Sequence, residues 1–336
     1  MHIGEILDRW GVPLTVAAGI TAQTLTTAVS GPHPIAIYTA LISGALWAWH
    51  GHHTSDRAVS SGFFAQALTW DSFVRPHRAP IDPPTLYLPM AQRMRQTEHY
   101  VRAFAAQHGL KRISLALPGD RHSFTDARST RHGRRGHLWL GAHWFHPQHT
   151  QHLPPVLEHE LAHLRRRDTR TRLAVETCAL VTVTLASGLL PFWAFTATAL
   201  TAWTITAALH WWAELACDAA AVHACGRTRV AAMWTADIAD ERTTSLTARA
   251  WNFTRTGHLH PPLRLRRCFA LHAPLRPSAT PHPLSLLHGA APLPDQTASD
   301  SWTDDRMTQP WREPEKPTPS PPEGVTRPWG SGWRSP

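Results

Sequence analysis

Two imidazoles one helical turn apart, with a carboxylate beside the first, have the makings of a metal centre. Residues 159–163 read His-Glu-Leu-Ala-His. On a helix, His159 and His163 share a face and can grip one zinc ion, leaving Glu160 to act as acid and base toward a water. The surroundings favour a helix. Pro155 suits a first turn, where its missing N–H costs nothing. Glu158 and Glu160 lie toward the positive end of the helix dipole, and Arg165, Arg166 and Arg167 toward the negative end. A chain with 24 His can produce this spacing by chance, so the neighbours must decide.

A catalytic zinc takes three protein ligands and keeps one position open. The third can be Glu, Asp, His or Cys. Glu214 is the best candidate, because Glu214-Leu215-Ala216-Cys217-Asp218 places two acids one turn apart on a second helix. Asp218 is then set to accept the free N–H of a ligating imidazole and fix its tautomer. The Cys residues (178, 217, 225 and 268) form no C-x-x-C pair and suggest neither a disulfide framework nor a thiolate zinc site. His143, His146, His149 and His152 recur three apart, but Pro147, Pro154 and Pro155 argue for a loop with scattered His.

The elements that must carry these residues are set by charge placement. The chain has 336 residues and a net charge of +9, with a pI of about 10.4. Yet no Lys or Arg occurs between Trp10 and Asp56, or between Leu173 and Gly226. Apolar stretches that shed their bases in this way are expected of membrane spans, and the bases beside them of anionic lipid rather than nucleic acid.

The expected architecture is mainly α and integral to a membrane. A polar lead (1–9) is followed by a transmembrane hairpin (10–54) with its turn at 30–34. A catalytic part (55–172) contains the H-E-x-x-H helix. Within it, 90–108 has helical periodicity, 113–117 and 137–141 read as strands, and Arg121 to Arg135 as a charged loop. A second hairpin (173–213) turns near 187–191. Residues 214–272 carry the third ligand, and a Pro-rich tail (273–336) has the composition of a disordered segment. Both hairpin turns lack Lys and Arg, which predicts a multi-pass protein of the plasma membrane with both termini and the metal site in the cytoplasm. That orientation assumes four spans.

In this order H-E-L-A-H, an apolar hairpin, E-L-A-C-D and His260-Pro261-Pro262 followed by Arg resemble the integral-membrane zinc metallopeptidases of the HtpX and CAAX prenyl protease family, over roughly residues 10 to 270. The resemblance implies a gluzincin-type peptidase domain with a small β-sheet, one zinc held by His159, His163 and Glu214, and Glu160 as catalytic acid/base. It implies a protein or peptide substrate, and a cytoplasmic active site. His260 or Arg264 is the expected oxyanion partner, on resemblance and charge. The substrate backbone is expected to add to the edge of strand 137–141. The same motifs also resemble antirepressor-type sensor peptidases, which share the chemistry and differ in substrate. A non-enzymatic, His-rich metal-binding membrane protein is a further reading, suggested by His50, His52 and His53. It predicts ionisable residues facing one another inside the spans.

Overall fold

A computed structural model describes residues 3–64, 84–116, 127–145 and 149–274. The chain is mainly helical with one small sheet. Its elements are α1 (Ile3–Ser30), α2 (Ile35–Phe64), α3 (Pro84–Gln107), β1 (Arg112–Ala116), β2 (Ala127–His132), β3 (Arg135–Leu140), a 3-10 turn (Ala142–Phe145), α4 (Leu153–Arg166), α5 (Asp168–Leu189), α6 (Phe192–Cys225), α7 (Arg227–Thr243), α8 (Leu246–Thr256) and α9 (Leu263–His272). The expected polar lead is helical from Ile3, and α2 continues ten residues past the expected end of its hairpin. The connector before Pro84, residues 117–126 and the tail beyond 274 lie outside the described residues.

Both expected hairpins form, as α1–α2 and α5–α6. Among the described residues three helices are long and apolar enough to cross a membrane: Trp10–Ser30 within α1, Asp168–Leu189 and Phe192–Cys225. The fourth helix, α2, is not among them. Its apolar run from Ile35 to Trp49 is followed by His50, His52 and His53. The two turns meet, since His33 N–H donates to the Gly188 carbonyl at 3.1 Å. Nearby, Gln23 Nε2 donates to the Thr184 carbonyl at 2.9 Å. The packing of α2 on α5 depends on two glycines seven residues apart. A Cβ at Gly44 would meet Val181, and one at Gly51 would collide with Leu173.

The second helix of the second hairpin carries on past residue 213, as the lack of any linker before Glu214 in the sequence leads one to expect. Helix α6 runs unbroken from Phe192 to Cys225, so one rod carries both the apolar span and the acids at 214 and 218. The core lies beyond the bundle. Leu157, Leu161 and Leu164 of α4, at helical spacing, pack with Leu138 and Leu140 of β3, Phe145, Val222 of α6 and Met233 of α7. With that stripe buried, the opposite side of α4 carrying His159 and His163 turns toward α6.

The sheet has the order β1-β3-β2, with β1 parallel and β2 antiparallel to β3. This corrects the expected substrate edge. Strand 135–140 is central and paired on both sides, so it offers no edge. The edge toward α4 belongs to β2, inside what the sequence suggested was a charged loop. From β2, the Ser129 hydroxyl donates to the Glu160 carbonyl at 2.9 Å, and Arg131 Nη1 donates to the Leu164 carbonyl at 2.8 Å. These bonds fix the metal helix against the strand.

Candidate metal centre

Helix α4 opens with Pro154 and Pro155 in its first turn, and Tyr100 on α3 donates its hydroxyl to Glu158 Oε1 at 2.5 Å. It ends at Arg167, which adopts left-handed angles (φ 62, ψ 38). A non-glycine residue there costs about 1–2 kcal/mol. What the corner achieves is local: α5 begins at the next residue, and Asp168 turns back onto α4. Its Oδ2 accepts from His163 Nδ1 at 2.8 Å.

Potential ligand atoms of three residues converge. His159 Nε2 and His163 Nε2 are 3.1 Å apart. Glu214 Oε2 lies 3.4 Å from His159 Nε2, and Glu214 Oε1 lies 3.5 Å from His163 Nε2. A tetrahedron with arms of about 2.05 Å, the usual zinc–nitrogen and zinc–oxygen length, has edges of about 3.3 Å. The imidazole separation and the distance from each imidazole to its nearer Glu214 oxygen are close to that length, so the donor set fits a divalent ion. Among the described residues no further His, Cys, Asp or Glu joins this cluster. All three residues line a cavity of about 1030 Å³, as do Glu160 and His260.

Each imidazole is oriented by a carboxylate on its far nitrogen. Asp218 Oδ1 is 3.0 Å from His159 Nδ1, as expected from the sequence. Asp168 does the same for His163 and was not anticipated. Burial and the Arg266 guanidinium push His159 toward its neutral form; Asp218 and Glu214 outweigh them and raise its pKa to about 9. Metal binding at Nε2 is therefore coupled to proton release. Asp168→Asn is expected to weaken metal binding about 10–100-fold, the usual cost of losing such a partner, measured by competition with a zinc chelator.

Arg266 on α9 was also missed, in favour of Arg264. Arg264 is exposed and does not line the cavity. Arg266 is buried and grips Asp218 through two bonds, Nε to Oδ2 at 2.8 Å and Nη2 to Oδ1 at 2.7 Å. Its Nη1 lies 3.5 Å from Glu214 Oε2, and its guanidinium stacks 3.8 Å above the Trp234 ring. Asp218 is fully buried, so Arg266→Met leaves a buried carboxylate without its main counter-charge. A loss of about 3–5 kcal/mol is expected, read as a lower unfolding midpoint in detergent. His260 is half exposed at the cleft, with Nδ1 3.2 Å from Glu214 Oε2.

A second group, His163, Asp168 and Cys217, is also close enough to hold an ion. There His163 would offer Nδ1, which Asp168 already engages, and Cys217 Sγ lies 3.4 Å from that same nitrogen. The Nε2 cluster leaves these contacts intact. His149 and His152 join no such group among the described residues; the side chains of His143 and His146 lie outside them. Glu176 and His210 do face one another, 3.7 Å apart, but Arg172 stands 4.0 Å from the same carboxylate oxygen, at the basic end of α5. No family model, curated protein or solved structure matches the chain.

Proposed function

We propose that this chain is a membrane-embedded zinc metalloendopeptidase of gluzincin type. The observation that carries the reading is the convergence of His159, His163 and Glu214 within reach of one ion, beside Glu160 in one cavity. Two imidazoles and a carboxylate are a donor set that suits zinc and leaves a coordination position open. Zinc bound there supplies Lewis acidity, which acidifies water and polarises a carbonyl.

The chain's own residues perform the rest. Asp218 and Asp168 hold the far nitrogens of the two imidazoles and so direct both Nε2 atoms toward the Glu214 carboxylate. Glu160 takes the proton of the attacking water and delivers it to the leaving amine. His260, anchored on Glu214 through Nδ1, stands at the cleft to donate toward the developing oxyanion. Arg266 acts behind the ligands by fixing Asp218. The outer edge of β2, which no other described strand pairs, receives an extended polypeptide. In an antiparallel pair every second residue points its backbone groups outward. Arg131 N–H does so, reaching Thr169 Oγ1 at 3.3 Å, which places Ala127 and Ser129 in the same phase beside the cavity. Backbone pairing there gives tolerance of side-chain identity.

The membrane setting follows the same geometry. The base-free turns meet at one end of the bundle, and Glu214 lies about 34 Å farther along α6, roughly one hydrocarbon core away. With α2 as a fourth span, the basic-loop rule puts both termini and the metal site in the cytoplasm, facing membrane or membrane-proximal proteins. The test is hydrolysis of an unfolded polypeptide by the purified protein in nanodiscs. Activity is expected to vanish with a strong zinc chelator and return on adding zinc; chelator-insensitive cleavage, or none at any zinc level, would refute the assignment.

A further inference from the structure

Helix α8 turns its apolar residues the wrong way for a protein surrounded by water. Leu246, Trp251 and Phe253 are 75%, 67% and 60% exposed. At 100° per residue, Phe253, Leu246, Ala250, Thr254, Thr247 and Trp251 fall on one continuous outward arc. All six are exposed, and none is charged. Arg249 flanks the arc and is half-buried. The Ser245 hydroxyl caps the helix by accepting from Ala248 N–H.

The position of this arc identifies what covers it. Trp211 Nε1 on α6 donates to the Gly257 carbonyl, directly after α8, at 2.8 Å. That bond ties the end of α8 to the side of α6 that carries Trp211, the residue before Trp212. Leu200 of the span falls about 20° from Trp211 around the helix, and both it and Trp203 are exposed. The apolar arc of α8 is thus placed at the mouth of α6's lipid-facing surface, at a level marked by paired Trp and by Arg172 on the adjacent α5. Tryptophan at that level, with a flanking Arg, is the composition of the headgroup boundary.

We propose that α8 lies in the plane of an anionic bilayer surface, with Leu246, Trp251 and Phe253 inserted at the headgroup–acyl boundary. The inference rests on the reading of α6 as a membrane span. In that arrangement the loop from Gly257 to His260, which follows α8 directly, is held at the lipid surface, and so the cleft at His260 opens beside the bilayer. Polypeptide emerging from the membrane would then reach the metal site without a long excursion.

The test uses the full chain in nanodiscs of phosphatidylcholine and phosphatidylglycerol, with p-benzoylphenylalanine installed singly at position 253, at 246, at 200 in the α6 span, or at the exposed position 102 of α3. After irradiation, adducts are read by mass spectrometry. Lipid adducts at 253 and 246 are expected to match those at 200 and to exceed those at 102 by about tenfold, as for side chains seated in the interface. Adducts at 200 but only background at 253 and 246 would place α8 in water and overturn the inference alone. Adducts at 253 and 246 to a second copy of the chain would overturn it in favour of a protein interface. Background at 200 would remove the span itself, and the inference with it.

Discussion

Glu160→Gln is expected to reduce peptide hydrolysis by about 10²–10⁴-fold while leaving metal content unchanged. The side chain lies next to His159 in sequence, is largely buried, and lines the cavity shared with His163, Glu214 and His260. Glutamine keeps its size and shape and can still hydrogen-bond, so the helix and its ligands are undisturbed. It cannot accept a proton, so the water loses its base and the leaving amine its acid. Activity and metal stoichiometry should be read on the same preparation. An active variant would remove Glu160 from the chemistry, and an inactive variant lacking metal would show that the residue supports the ligands instead.

Glu214→Ala is expected to lower metal affinity by more than the roughly 100-fold ceiling usual for an outer-sphere partner. It deletes the ligand that links the two helices, since its two oxygens face the two imidazoles separately. It also takes a carboxylate away from Arg266 and His260, so the unfolding midpoint must be recorded alongside. A variant that melts near the parent temperature yet binds zinc as tightly as the parent would move the third ligand elsewhere. Cys217→Ser is the matching control, and its metal affinity should be unchanged.

How much of this site is legible in the sequence depends on how local each constraint is. The 159/163 spacing could be read because the helix repeat alone places the two rings together. Glu214 and Asp218 could be read for the same reason, and the structure brings both to the imidazoles. Arg266 could not. Arg264 and Arg266 are two residues apart on α9, which puts them about 200° apart around the helix. Charge does not say which one turns inward; the buried Asp218 on a distant helix decides it. Asp168 was hidden because its reach depends on the left-handed corner at Arg167, an angle a non-glycine residue does not advertise. Strand β2 was hidden because Arg128-Ser129-Thr130-Arg131-His132 shows no apolar alternation. It is a strand because β3 pairs with it and α4 takes hydrogen bonds from Ser129 and Arg131. The apolar spans were legible from composition, but the His residues that follow Trp49 leave α2 short of the others.

The central claim is that two imidazoles and one carboxylate hold a single zinc ion without sulfur. Zinc K-edge X-ray absorption on the purified protein loaded with one equivalent of metal tests this most directly. The expected result is a shell of about four nitrogen and oxygen neighbours at about 2.0–2.1 Å, with the multiple scattering of two imidazoles and no sulfur. A sulfur neighbour at about 2.3 Å would place the ion with Cys217, Asp168 and His163 instead, and would contradict the account.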